Sequence, residues 1–346
     1  MATMKAALFD GKGHMKLKTL QRPEPGTGDV LLKLRSTGIC GSDLLIYHDK
    51  TTPETLPAGH ELAGEIAEVG KGVDKGLVGQ RVAIEGIGHG RACMECWYCR
   101  TGQFFLCGKL EPDSGGGYAQ YMVRKAAGCY PMQDNLSWEE GGLTEPLAVA
   151  VHAVRRGELT GGETVAVLGA GTIGLCCIAA ARALGAGKII ATAKYPQQAA
   201  MAKRMGADMA VSPEGDALKQ ALAGVTDGRG ADLTIEAVGG RSDAPLNQAV
   251  DVTRLQGRIS TTGNFWRPAT IDWFKCLLKE QSMIWSATYS IMDGWHDFEI
   301  ALDLMASGRV KLKQMVTHTV LLEQIQKGFD ISADKTSGAI KVQVMQ

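Results

Sequence analysis

Residues 164–193 read TVAVLGAGTIGLCCIAAARALGAGKIIATA, and this stretch constrains the fold more tightly than any other. TVAVL is a short apolar run without polar alternation, the pattern of a strand buried on both faces of a parallel sheet. Gly169, Gly171 and Gly174 follow as G-x-G-x-x-G, an alanine-rich apolar run continues as a helix, and KIIATA is the next strand. Without such flanks the glycines would mark only a tight turn. In the order strand, glycine turn, helix, strand they form the dinucleotide fingerprint, with the pyrophosphate on the helix N-terminus. Gly169, Gly171, Thr172, Ile173 and Gly174 are therefore cofactor-binding candidates. ADLTIEAVG (231–239) and GRISTTG (257–263) supply later strands of the same α/β sheet.

About twenty residues beyond the glycines, an NAD site carries an acid that holds the ribose hydroxyls. Here that position is Ala193, and no Asp or Glu occurs from Thr164 to Ala207, whereas Lys194, Lys203 and Arg204 do. An uncharged slot beside cations attracts a 2′-phosphate that a carboxylate would repel. Ala193, Lys194 and Arg204 thus point to NADP(H). The alternative is NAD(H), with Lys203 and Arg204 forming a solvated helix face.

RACMECWYCRTGQFFLC (91–107) holds four of the nine cysteines, Cys93, Cys96, Cys99 and Cys107, spaced C-x2-C-x2-C-x7-C. The N-terminus lacks a secretion signal, which predicts a cytoplasmic protein, where a tight thiol cluster reads as a metal site before it reads as disulfides. Two-residue gaps let neighbouring thiolates curl around one ion, and four thiolates close a tetrahedral, structural zinc shell. Trp97, Phe104 and Phe105 would cover one side of it. An iron–sulfur cluster and a nucleic-acid-binding zinc finger are the other readings of such cysteines. With 37 basic and 37 acidic residues, the net charge is zero, which argues against nucleic acid or an anionic membrane as partner. No apolar run reaches the roughly 18 residues a membrane span needs. Cys176 and Cys177, on the glycine helix, read with Cys129 and Cys276 as small buried hydrophobes.

A second ligand set is scattered. ICGSD (39–43), PAGHELAGEIAEVG (57–70) and TEPLAVAVHA (144–153) contribute Cys40, the pair His60-Glu61, and Glu145. Thiolate, imidazole and carboxylate all suit zinc, and ligands far apart in sequence are how open, catalytic sites tend to be built.

Together these pieces, with GQRVAI (79–84) and GGYAQY (116–121), resemble the zinc-containing medium-chain dehydrogenase/reductase family along essentially the whole chain. The likeness is to its polyol (sorbitol) and threonine dehydrogenase branch, because Glu145 stands where simple alcohol dehydrogenases often carry cysteine. The resemblance implies a Rossmann-like doubly wound domain (147–289) inserted in a β-rich GroES-like catalytic domain (1–146 and 290–346), with the active site in the cleft between them. It makes Cys40 and His60 permanent ligands of a catalytic zinc, and Glu61 and Glu145 direct, exchangeable or water-mediated ones. Asp43 would fix the His60 tautomer, and Ser42 would touch the substrate oxygen and start a proton path. Many relatives continue that path through a histidine three residues on, but this chain has Leu45, so cofactor hydroxyls, water, Tyr47 or His48 must serve. His48 is otherwise a surface histidine. His89 either meets a polar substrate group or stays in its loop, and His152 reads as packing.

The implied enzyme carries two zinc ions per chain and moves hydride between a secondary alcohol or polyol, or the matching ketone, and NADP(H), as a homo-oligomeric dimer or tetramer. An NAD-dependent polyol dehydrogenase, a zinc-free reductase and a zinc-impaired, non-catalytic binding protein of the same fold are the competing readings. Trp266, Trp285, Tyr289 and Trp295 either line an aromatic pocket or serve core and subunit contacts.

Overall fold

The computed structural model describes residues 2–11, 13–49 and 54–346, which fall into two compact units. The first comprises residues 1–145, 290–306 and 312–346; the second comprises 146–289 and 307–311.

The first unit opens with an antiparallel hairpin, β1 (Thr3–Gly11) and β2 (His14–Gln21). Next come β3 (Asp29–Gly38), α1 (Gly41–Asp49), β4 (Glu61–Val69) and β5 (Arg81–Glu85). The cysteine segment with its one-turn helix α2 (Trp97–Arg100), β6 (Tyr121–Lys125), β7 (Cys129–Pro131) and α3 (Trp138–Gly142) follow, and α4 (Thr144–Arg156) leads out of the unit. Along β3, Val30, Leu32 and Leu34 recur at every second residue and pack with Leu62, Ile66, Val82, Ile84 and Met122. That period of two is what places one face of a strand in a core.

The second unit alternates strand and helix: β8 (Thr164–Leu168), α5 (Thr172–Ala183), β9 (Lys188–Thr192), α6 (Pro196–Arg204), β10 (Met209–Val211), α7 (Ala217–Thr226), β11 (Ala231–Glu236), α8 (Ala244–Val252), β12 (Thr253–Thr261), α9 (Trp273–Leu278) and β13 (Ser282–Trp285). Its strands are all parallel, in the order β10-β9-β8-β11-β12-β13, the doubly wound arrangement. Every residue of β8 is buried, as a strand covered on both faces requires. Leu218 and Leu222 of α7 and Leu246 and Val250 of α8 close over Ala166, Leu168, Ile190 and Ile259. Each fully buried leucine or isoleucine stabilises by about 1.5–3 kcal/mol, more than a typical net hydrogen bond, so this apolar pattern dictates the layering.

The chain then returns to the first unit through β14 (Ile291–Met292), β15 (Trp295–His296) and α10 (Asp297–Ala306). It finishes with β16 (Val316–Leu321), α11 (Ile325–Ala333) and β17 (Lys341–Met345). β17 pairs antiparallel with β3, giving the order β16-β17-β3-β4-β5-β7, with β6 also on β3. Phe329 of α11 packs edge-on against Phe9 and Tyr118, both at 5.5 Å. Among the described residues no helix is long and apolar enough to cross a membrane.

Candidate metal and cofactor sites

The cysteine segment has little apolar content of its own: its core is Ala92, Cys99, Phe104 and Cys107. Its four sulfurs nonetheless converge, with Sγ–Sγ distances of 3.9 Å (Cys93–Cys99), 3.5 Å (Cys96–Cys99) and 3.5 Å (Cys107–Cys93). Thiolates on a tetrahedral zinc, each about 2.3 Å from the metal, lie about 3.8 Å apart, so the set fits that ion. The amides of Cys93 and Lys109 point at the Cys107 sulfur. Backbone N–H groups of Glu95 and Cys96 pull the Cys93 thiol down to about 6, while burial pushes Cys99 up to about 12. Trp97 and Phe105 are exposed and Phe104 is buried, so Phe104 alone of the three aromatics covers the cluster.

Cys40, His60 and Glu145 all belong to the first unit. Cys40 lies two residues beyond β3, and its amide donates to Asp43 Oδ2 (2.9 Å) in the first turn of α1. His60 is delivered by a turn ending in Gly59, at φ +95°, where a Cβ would come within 2.9 Å of Thr37 and 3.1 Å of the Tyr118 ring, so only glycine fits. The Cys40 thiol acts on the His60 ring and raises its pKa. Burial lowers the His60 pKa, but Cys40 and the charges of Asp43 and Glu145 more than offset it and hold the ring well above the ordinary histidine range. Glu145 is buried at the start of α4, and burial raises its carboxyl to about 7, against the opposing pull of His60. A thiol, an imidazole and a carboxyl close enough to shift one another's proton affinity match a zinc donor set, since zinc replaces those protons. They are not gathered as tightly as the four cysteines: among the described residues, two sets of donors lie mutually within 4.8 Å, and this is not one of them.

Around these groups, Asp43 is buried, its Oδ1 3.9 Å from His60 Nδ1 and its Oδ2 accepting a 2.7 Å hydrogen bond from the Tyr118 hydroxyl. Glu61 opens β4 beside His60, but both its oxygens accept from Lys341 Nζ at 2.7 Å, with both side chains 1% exposed. Ser42 is half-buried on α1 and His48 is exposed near its end. The Tyr47 hydroxyl donates to Asp330 Oδ1 (2.8 Å) and accepts from Gln326, and burial pushes its pKa up to about 12. His152 is buried in the second unit.

The second tight set is Glu85, His89 and His296. His296 Nε2 lies 3.1 Å from Glu85 Oε2, and the Tyr130 hydroxyl bridges Glu85 Oε2 (3.1 Å) and His89 Nδ1 (2.8 Å). This set does not suit a metal. His296 Nδ1 accepts the Phe298 amide (3.1 Å) as the cap of α10, which leaves the ring proton on Nε2, facing Glu85. A histidine that ligates through Nε2 must instead donate from Nδ1. The cluster is a buried hydrogen-bond network in which His89 also stacks flat on Phe104, with ring centroids 4.0 Å apart.

In the second unit, Gly174 lies so close to the Gly169 carbonyl that a Cβ would meet it at 1.7 Å, whereas a Cβ on Gly171 would meet nothing within 4 Å. The turn thus packs tightly where helix meets strand and stays open at the start of α5, whose first amides have no side-chain cap. That open, amide-lined start fits a pyrophosphate, flanked by Thr172 and Ile173. The Gly169 amide donates to Thr192 Oγ1 (2.9 Å), tying the turn to the end of β9. Ala193 follows buried, while Lys194 and Arg204 are exposed. Cys176 and Cys177 are buried in α5 and Cys276 in α9, while Cys129 is half-buried. Tyr289 is buried, but Trp266, Trp285 and Trp295 are 51%, 58% and 61% exposed, which puts these tryptophans on the surface of their units.

Sequence reasoning missed Lys341, Tyr118, Tyr130, Glu85 and His296. Lys341 left a signal, a single cation in the apolar run AIKVQV, and Tyr118 stands in the quoted GGYAQY; the other three left none.

The family profile for the alcohol dehydrogenase GroES-like domain matches residues 26–134, and that for zinc-binding dehydrogenase matches 172–307. Sorbitol dehydrogenase of Bacillus subtilis (strain 168) is 33% identical, covering 99% of this chain and 97% of its own. Among solved structures, an alcohol dehydrogenase of Escherichia coli CFT073 complexed with NADH aligns with TM-score 0.89 at 26% identity over 100% of both chains. A zinc-binding dehydrogenase of Sinorhizobium meliloti 1021 bound to NADP aligns with TM-score 0.86 at 27% identity, also over 100% of both.

Proposed function

The chain belongs to the zinc-containing medium-chain dehydrogenase/reductase family and is a zinc-dependent alcohol or polyol dehydrogenase using NAD(P); we propose that it oxidises a secondary alcohol or polyol, or reduces the matching ketone, with NADP(H) as the preferred cofactor. The observation that carries the site reading is that Cys40, His60 and Glu145, far apart in sequence, stand near enough for Cys40 and Glu145 both to act on the His60 ring. In our reading these three hold a catalytic zinc, Glu61 stays with Lys341, and Cys93, Cys96, Cys99 and Cys107 hold a structural one, two per chain.

When bound, zinc polarises the substrate oxygen and the nicotinamide takes or gives the hydride. The protein's own residues do the rest. Asp43 orients the Cys40 loop through its amide. Gly171 and the first amides of α5 seat the pyrophosphate. Ser42, on the same turn as Asp43, would accept the substrate hydroxyl proton while passing its own to a cofactor hydroxyl and on to water, a route that bypasses Tyr47, whose hydroxyl is committed to Asp330.

NADP(H) is supported by the neutral Ala193 at the end of β9 with Lys194 and Arg204 exposed nearby in sequence. The NAD(H) reading draws on the relative solved with NADH. A homo-oligomer is supported by the edge of the parallel sheet. There β13 has one open side, and Trp273, Phe274, Leu277 and Leu278 of α9 are 67%, 69%, 70% and 64% exposed, an apolar surface that a second copy would cover. Beside it lies an apolar hollow of about 240 Å³ lined by Leu246, Phe265, Ile271, Trp273, Met283 and Trp285.

The test combines metal analysis of the purified chain with kcat/KM for polyols and secondary alcohols under both cofactors, followed by the absorbance of reduced nicotinamide. Two zinc ions and a higher kcat/KM with NADP support the reading. A single zinc, or turnover with neither cofactor, overturns it, and a strong preference for NAD overturns the cofactor assignment.

A further inference from the structure

We propose that Tyr118 is a positioning residue for the catalytic metal, a strut that locks the turn carrying His60 to the loop carrying Cys40. The main chain and the side chain of Tyr118 act on different halves of the ligand set. Along the main chain, the amides of Gly116, Gly117 and Tyr118 donate to the carbonyls of Pro57 (2.6 Å), Gly59 (2.9 Å) and Ala58 (2.9 Å), the three residues that precede His60. On the other edge, the Ala7 amide donates to the Tyr118 carbonyl (2.7 Å), so β1 backs the strip. The ring is fully buried, lies against Gly59 and meets Phe329 edge-on. The hydroxyl then reaches Asp43 Oδ2 at 2.7 Å, the same oxygen that accepts the Cys40 amide.

Asp43 Oδ1 lies 3.9 Å from His60 Nδ1, too far for a hydrogen bond, so the carboxylate is held by Tyr118 and by the Cys40 amide and not by the histidine. A phenylalanine would fill the same space and keep the packing while releasing that carboxylate. The hydroxyl therefore sets where Asp43 sits when His60 turns to a metal, and outer partners of this kind tune the affinity of the ligands they orient.

The proposal rests on Cys40, His60 and Glu145 forming a zinc-ligand set, and the test separates the two. The full-length, zinc-loaded chain is challenged with a chromogenic chelator, and release is followed as two phases, one from the open set and one from the cysteine segment. Tyr118→Phe should speed release from the open set by about tenfold or more, leave the cysteine phase unchanged, and shift the visible absorption of the cobalt-substituted protein. Phe329→Leu, which disturbs the same packing but keeps the hydroxyl, should release zinc like the parent. Parent-like release and cobalt spectrum in Tyr118→Phe overturn the proposal, as does equal acceleration in Phe329→Leu. Cys40→Ser is the reference: if it keeps both zinc ions, the ligand set itself is wrong, whereas if it loses one and Tyr118→Phe changes nothing, only the strut is.

Discussion

Replacing Lys341 by methionine should destabilise the first unit more than any surface change. Lys341 Nζ lies 2.7 Å from both oxygens of Glu61 and 3.0 Å from the Ile39 carbonyl, and neither charged side chain is more than 1% exposed. Methionine fills much of the same volume, so the cost is not chiefly a cavity. It is the carboxylate left buried without its cation, a loss of about 3–5 kcal/mol. For a cooperative unit of this size, 1 kcal/mol corresponds to about 2–4 °C, which places the expected drop in Tm at about 6–20 °C. Differential scanning calorimetry of Lys341→Met, Glu61→Gln and the double variant completes a double-mutant cycle. The double variant should be markedly more stable than the sum of the single losses allows, because no charge is then stranded. Strict additivity would refute the reasoning, as would a Tm within 2 °C of the parent in Lys341→Met.

Three further outcomes are expected. Ala193→Asp places a charge where a 2′-phosphate would sit; at about 5 Å and an effective dielectric of about 20 the repulsion is about 3 kcal/mol, so the NADP:NAD ratio of kcat/KM should fall about a hundredfold, and an unchanged ratio would remove Ala193 from the site. Burial raises the Glu236 carboxyl above its ordinary value, so the folded chain holds that proton more tightly than the unfolded one. Its contribution is fullest below the unfolded value of about 4.3 and is lost as pH rises through the folded one, so the Tm of Glu236→Gln should gain on the parent between pH 4 and 7. A constant difference across that range would contradict it. If α9 carries the proposed contact between copies, Leu277→Glu should give single chains by light scattering where the parent does not, and an unaltered mass would direct attention to another surface.

The parts of the molecule legible in its sequence are those whose chemistry is local. The glycine turn is legible because Gly169, Gly171 and Gly174 act within six residues, and the cysteine cluster because its four sulfurs lie within fifteen. Both are compact in the structure: a Cβ on Gly174 would meet the Gly169 carbonyl, and the four sulfurs lie within 4.8 Å of one another. Cys40, His60 and Glu145 stand out in the sequence as residue types that suit zinc, but their assignment to one shared site comes through resemblance, because no local pattern says which turn will meet which. What binds these groups is set by strand register over long separations. β17 brings Lys341 to Glu61 across 280 positions, and the return segment brings His296 to Glu85. The placement of His89 shows the same limit. Its neighbours in sequence left a substrate role and a plain loop role equally open, whereas Phe104 and Tyr130 decide where the ring lies.

The pairing of β17 with β3 also orders events during synthesis. The second unit is contiguous apart from five residues and can collapse once its sheet is translated, but the first cannot close until the ribosome has delivered the final strand. Until then the Ser36–Gly38 end of β3 lacks its partner beyond β6 and Glu61 has no cation, so the N-terminal part of a nascent chain waits half-built. A ribosome stalled shortly before Lys341 would therefore release a product with a sound nucleotide fold and an unfinished metal half, a natural substrate for proteolytic clearance.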